Sequence, residues 1–232
     1  WWIMILIDLL LLFLTNTYVN NCVMKRVDEG VKVLDHQCDP TLLLKETEAL
    51  LNRKLPEVNR QIVTINYSVA LRNLGEIQKA FDLLASVHID KCPTMLTVNK
   101  LLYYNNMADL LEEQGEYKQA EVYFNKLVQV HTDLKDQTQR KHTEHLLTAG
   151  SVSRCIQKQE YETALAILNE MPPATLRQEV EDALKRAQIT LALNRPEEAK
   201  KHLQFVIEKG NRLYCVPRAQ ELLEHLSQPA TK

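Results

Sequence analysis

The sequence predicts an all-α protein made of antiparallel helix pairs, and three observations lead there. Glycine is scarce, 5 of 232 residues, about 2% against a usual share of about 7%. Strand-and-turn folds spend glycine on positive-φ turns, so a sandwich or barrel is disfavoured. A segment with the same apolar and small-residue pattern recurs about every forty residues along the chain, the mark of a repeated supersecondary unit. Within each copy the apolar residues fall three and four apart, as one buried helical stripe requires.

Composition narrows the function classes. The formal net charge is -2 with 25% charged residues, which gives no electrostatic basis for a dedicated nucleic-acid binder. The glycines (Gly30, Gly75, Gly115, Gly150, Gly210) stand apart, so neither a G-x-G-x-x-G nor a G-x-x-x-x-G-K-[ST] phosphate loop can be formed. Five scattered cysteines (Cys22, Cys38, Cys92, Cys155, Cys215) are an odd set without a C-x-x-C pair, which fits a reducing compartment better than a disulfide framework. Exposed thiols are expected at Cys22 and Cys38, where they could cross-link dimers.

The chain opens on Trp1 to Leu14, WWIMILIDLLLLFL, apolar except for Asp8. At 1.5 Å per residue these cover about 21 Å, short of a hydrocarbon core of about 30 Å. A chain that begins Trp-Trp without methionine is expected to continue upstream, completing a span. Tyr18 then lies at the interface, and Lys25 and Arg26 on the C-terminal flank place the remainder in the cytoplasm. Residues 1–20 are therefore read as a transmembrane helix cut short at its start. A cleaved signal peptide fits less well, since Thr15-Asn16-Thr17 is not a small-x-small cleavage site. A buried terminal helix stays open as an alternative, because Asp8 facing lipid costs about 2.5–3.5 kcal/mol.

From residue 21 the repeat takes over. LRNLGEIQKAFDLL (Leu71 to Leu84) aligns with LEEQGEYKQAEVYF (Leu111 to Phe124), with Gly75 over Gly115 and Ala80 over Ala120. CIQKQEYETALAIL (Cys155 to Leu168) keeps Tyr161 and Ala164 but has Gln159 at the glycine position. TLALNRPEEAKKHL (Thr190 to Leu203) keeps Ala199 and Leu203 with Asn194 there. Gly75, Gly115 and Asn194 end the first helix of each pair where a left-handed residue is needed. The small alanine that follows lets the second helix cross closely. Pro40, Pro56 and Pro196 suit first turns. The pairs are placed at about 23–55, 57–90, 95–133, 138–171 and 174–210. A terminal helix at 213–227, read as a solvating cap, and a polar, frayed tail at 228–232 follow.

These residues make the chain similar to tetratricopeptide (TPR) repeat proteins, whose unit is a 34-residue helical hairpin. The second copy carries the resemblance best through Tyr104, Met107, Ala108, Leu111, Gly115, Tyr117, Ala120 and Phe124. The first carries it through Tyr67, Ser68, Leu71, Gly75, Ile77, Ala80 and Leu84, and the third and fourth are degenerate. Alanine spacings of 40, 44 and 35 residues depart from 34, so helices or loops are extended. An N-terminal span followed by such repeats also resembles small membrane-anchored bacterial TPR proteins. The resemblance implies a right-handed superhelical stack, with packing residues Gly75, Ala80, Gly115, Tyr117, Ala120, Phe124, Tyr161, Ala164 and Ala199.

It also implies that the first helix of each pair lines a concave groove holding a protein or peptide segment. Carried over, the groove residues are Asn66, Arg72, Asn73, Asn105, Asn106, Asp109, Glu113, Ser153, Gln157 and Gln188. Asparagines can pair with a partner's backbone amides. The alternative is that these side chains tie neighbouring helices together or face water. The family's carboxylate clamp is ruled out: only Asn106 matches it, with Ile65, Val69, Leu146 and Gly150 in the other places.

Other chemistry finds little support. His142 and His145 lie one turn apart with His131 upstream, yet a closed metal site wants three or four ligands. A solvated polar helix in a linker from Gln129 to Glu144 explains them without a metal. Neither G-x-S-x-G nor H-E-x-x-H occurs. The carboxylate runs Glu112-Glu113, Glu179-Glu181-Asp182 and Glu197-Glu198 are read as helix surface or first-turn residues. The expected function is a non-catalytic membrane-tethered scaffold or adaptor that needs no cofactor, metal or nucleic acid. A peptide-sensing regulatory module with its output elsewhere is the alternative.

Overall fold

The computed structural model describes residues 1–227, which are helical over most of their length and contain no strand. The tail expected at 228–232 lies outside the described residues. Among the described residues eleven α-helices run α1 (Trp2–Gln37), α2 (Thr41–Leu51), α3 (Glu57–Asn73), α4 (Ile77–Ala85), α5 (Thr97–Glu113), α6 (Tyr117–Thr132), α7 (Gln137–Gln157), α8 (Tyr161–Glu170), α9 (Leu176–Ala192), α10 (Pro196–Lys209) and α11 (Cys215–Ser227). A 3-10 turn, Ile89–Lys91, lies between α4 and α5.

α1 is one continuous helix of 36 residues, about 54 Å long, with two different surfaces. Trp2, Met4 to Leu14 and Tyr18 are exposed, whereas Val23, Val27, Leu34 and its cap Cys38 are buried. The helix is long and apolar enough to cross a membrane. It ends where Cys38 takes a left-handed conformation, φ 53°, and returns its N–H to the Leu34 carbonyl at 3.1 Å. That is a helix-terminating geometry that a non-glycine residue adopts at some strain. Cys38 is therefore buried rather than exposed, and burial pushes its thiol up to about 11; Cys22 is exposed.

Each later pair turns by the same device. Gly75 (φ 84°), Gly115 (φ 80°), Gln159 (φ 61°) and Asn194 (φ 58°) all take the left-handed region two residues past the first helix. The alanine that follows is sealed in every copy: Ala80, Ala120, Ala164 and Ala199 are at most 1% exposed. Phe124 lies over Gly150 of α7, where an added Cβ would stand 2.4 Å from its ring. Tyr117 departs from its expected packing role: it opens α6 and is 52% exposed. Pro196 occupies the first turn of α10, whereas Pro40 and Pro56 sit one position earlier, as caps.

The left-handed glycines make an internal control. Gly115 has open space around the missing Cβ, while a Cβ on Gly75 would stand 2.6 Å from the Tyr214 ring. Gly115→Ala is expected to cost only the left-handed backbone strain, about 1–2 kcal/mol. Gly75→Ala should cost about 1 kcal/mol more through overpacking, and Tyr214→Ala should remove that excess. Urea denaturation of the native chain, the three single variants and the Gly75→Ala/Tyr214→Ala double variant measures both differences.

The core is a circuit of apolar clusters. α3, α4, α5 and α6 share one around Leu84, Leu110 and Leu111. Leu101, Leu127 and Leu146 link α5, α6 and α7, and Val152, Leu168 and Ile189 link α7, α8 and α9. The largest cluster joins the two ends of the chain: Val27, Leu34, Leu43 and Val63 of α1–α3 pack with Val180, Ala187, Leu203 and Ala219 of α9–α11. Arg212 donates its N–H to the Cys38 carbonyl at 3.2 Å, and Tyr214 to the Asn73 carbonyl at 2.8 Å. α11 is thus more than a solvating cap. Leu222, Leu223 and Leu226 rest partly buried on this cluster.

Candidate functional site

The inner helices α3, α5 and α7 touch in succession, and α9 packs against α1. The polar side chains between them form a network across four helix pairs. Arg72 of α3 pairs with Asp109 at 3.2 Å and Glu113 at 2.8 Å on α5. Arg154 of α7 lies 3.5 Å from Glu112 of α5, its guanidinium 3.5 Å above the Phe124 ring. Arg177 of α9 bridges Asp35 of α1 at 2.8 Å and Glu181 on its own helix at 2.9 Å. Lys185 of α9 donates to the Ala149 carbonyl of α7 at 3.4 Å.

The electrostatics follow from burial. Burial alone would raise the Glu181 carboxyl, but Arg177, Arg72 and Lys185 together hold it below the usual carboxylate range. Burial raises the Glu112 carboxyl, helped by Asp109 and opposed by Arg154, Lys185 and a hydrogen bond from Ser153. Asp182 is raised by burial and by Glu181. Arg72 and Arg177 lose hydration on burial, yet their carboxylate neighbours hold both more firmly protonated than usual. Arg154 Nε is buried without a hydrogen-bond partner among the described residues.

Among the expected groove residues, Arg72, Asp109 and Glu113 are brought together, and Asn105 joins them by donating to Asp109 at 3.1 Å. Asn73 is buried and donates to the Val69 carbonyl at 2.9 Å. Asn66 donates to the Ile62 carbonyl at 2.9 Å and stays half-buried. Asn106 is buried, Ser153 and Gln188 are half-buried, and Gln157 is exposed at the end of α7. Most of these side chains thus have partners within the chain.

The sequence does not single out Asp35, Arg154, Arg177 and Lys185, and Glu112, Glu181 and Asp182 read there as surface carboxylates although the fold half-buries them. The one available signal was the Arg177–Glu181 spacing of four, which is also the commonest pattern of a solvated helix pair. Glu197 and Glu198 do sit in the first turn of α10. The stretch 129–144 is not a linker: α6 ends at Thr132 and α7 begins at Gln137, and the Asp136 carboxylate caps α7 through the Thr138 and Gln139 amides. His131 is buried against the Arg140 carbonyl at 3.0 Å. Among the described residues no cluster of three or more histidine, cysteine or carboxylate ligands could hold a metal.

A second feature is a recess of about 310 Å³ between the α4–α5 loop and α5–α6, lined by Tyr103, Tyr104, Tyr123, Lys126, His88 and Asp90, among others. Tyr103 stands edge-on to both other rings, at 5.5 and 6.3 Å. Lys126 Nζ lies 5.2 Å from the Tyr123 centroid, a cation–π arrangement.

No family model, curated protein or solved structure matches the chain.

Proposed function

We propose that this chain is a non-catalytic interaction scaffold of tetratricopeptide type, a right-handed superhelical stack. α1 holds it at a membrane as a single span, with the repeats in the cytoplasm. It binds a protein or peptide segment along its inner helices and needs no cofactor. The observation that carries the reading is the recurrence, in successive pairs, of a left-handed helix end followed by a sealed alanine. That regularity presents α3, α5 and α7 side by side with polar residues on them. A preorganised surface spends little ordering entropy on binding, and a membrane tether raises the effective concentration of membrane-bound partners.

The internal pairing narrows the contact set. Arg72, Asn105, Asp109 and Glu113 satisfy one another, Ser153 bonds Glu112, and Asn73 and Asn106 are buried, so a partner reaches Asn66, Gln157 and Gln188 more readily. Bulky substitution at Asn106 would disturb the core and is a poor test. The full chain, solubilised in detergent, is expected to lose its captured partner on Asn66→Trp combined with Gln157→Trp, with unchanged helicity by circular dichroism. Capture that survives the double substitution rules out the inner-helix assignment.

A further inference from the structure

The register between α1 and α2 says what lies beside the membrane end of the body. The two helices run antiparallel: Arg26 pairs with Glu46, and Gly30 meets Leu43 so closely that a Cβ would stand 2.7 Å from the Leu43 Cα. Continued along the pair, this register brings the start of the α2–α3 turn, residues 52–54, to the level of residues 18–21. The apolar run of α1 ends at Leu14, so the turn lies one to two helical turns beyond it, about 6–11 Å. The polar layer of a bilayer leaflet is about 5–7 Å thick, and the long stems of arginine and lysine cover the remainder.

That turn carries Arg53 and Lys54, both exposed, and neither is in an ion pair among the described residues. Lys25 is exposed on α1 at the same end. The α4–α5 loop comes to this end too, since the backbone amide of His88 donates to the side-chain oxygen of Gln61, near the start of α3, at 3.0 Å. The loop adds exposed Lys91 and Leu96, the latter 70% exposed. Glu57 and Asp90 are the exposed carboxylates on the turn and the loop, two against the three cations Arg53, Lys54 and Lys91.

We propose that the α2–α3 turn, flanked by Lys25 and Lys91, is a second membrane contact. It is a cationic foot that binds the anionic headgroups of the leaflet from which α1 emerges. This rests on the reading that α1 crosses the bilayer. The foot fixes the tilt of the body against the surface, which a single helix leaves free to swing.

The test is hydrogen exchange on the full chain in nanodiscs of phosphatidylcholine, with and without phosphatidylglycerol. The amides of Lys54 and Leu55 should exchange more slowly in the anionic discs, by about fivefold for each basic residue engaged. The slowing should vanish in Arg53→Glu/Lys54→Glu and fall with added salt. Equal exchange in the two lipids, from a chain that co-elutes with the discs, overturns the foot and leaves the anchor standing. A chain that elutes apart from the discs overturns the anchor and the foot with it. Arg53→Gln/Lys54→Gln should give an intermediate effect, which separates headgroup attraction from repulsion by the introduced acids.

Discussion

Arg177→Met is expected to destabilise the fold by about 1.5–3 kcal/mol, because it leaves the half-buried carboxylates of Asp35 and Glu181 without the cation that hydrogen-bonds both. In the native chain both bonds to Arg177 are short, 2.8 and 2.9 Å. The methionine keeps most of the volume, so the loss reads charge and hydrogen bonding rather than packing. The pH dependence carries the sign. The Glu181 carboxyl is held below its ordinary value in the folded chain. Its contribution is therefore fully present above the unfolded carboxylate value, about 4.3, and is lost as pH falls through the folded value. Glu112 and Asp182 are raised, so the stability they contribute is present at low pH and lost as pH rises through their folded values. The difference between native and variant chains cancels those two and isolates the Arg177 pair. That difference should be largest near neutral pH and should shrink on acidification. Denaturant unfolding across the acid range measures it.

The second large effect separates the two halves of α1. Leu34 is 1% exposed and lies where α1 meets the carboxyl-terminal helices, so Leu34→Ala should cost about 2–5 kcal/mol. Leu6, Leu10 and Leu12 are exposed on the same helix, and truncating each to alanine should leave unfolding of the repeats unchanged within about 0.5 kcal/mol. If α1 were instead a core helix along its whole length, all four substitutions would destabilise alike. Unfolding of each variant in detergent micelles, followed by far-ultraviolet circular dichroism, gives the comparison.

The helix ends were legible in the sequence because few residues tolerate the geometry required there. Gly75, Gly115 and Asn194 point to left-handed conformations, and each adopts one. Gln159 shows the limit of that reasoning: the backbone bends the same way, φ 61°, with a residue that gives no local hint. The sealed alanines were legible through their fixed distance from the turn. What stayed hidden was the meeting of the chain's ends. Asp35 and Arg177 are separated by 142 positions, and no local pattern encodes a contact over that distance. Their burial inverted the meaning of nearby charges as well. Glu112, Glu181 and Asp182 look in sequence like solvated helix residues, and only the packing of α7 on α5 and of α9 on α1 sets them between helices. The groove residues Arg72, Asp109 and Glu113 were singled out for a partner, while the fold engages them with each other.

The union of the first and last helices is tested most directly by the coupling between Asp35 and Arg177. Asp35→Ala, Arg177→Ala and the double variant, unfolded in denaturant as full chains, form a double-mutant cycle. A coupling of about 1–3 kcal/mol is expected for two charged groups in direct contact. Effects that simply add, leaving no coupling, would contradict the packing of α9 on α1 and with it the closed circuit of the core.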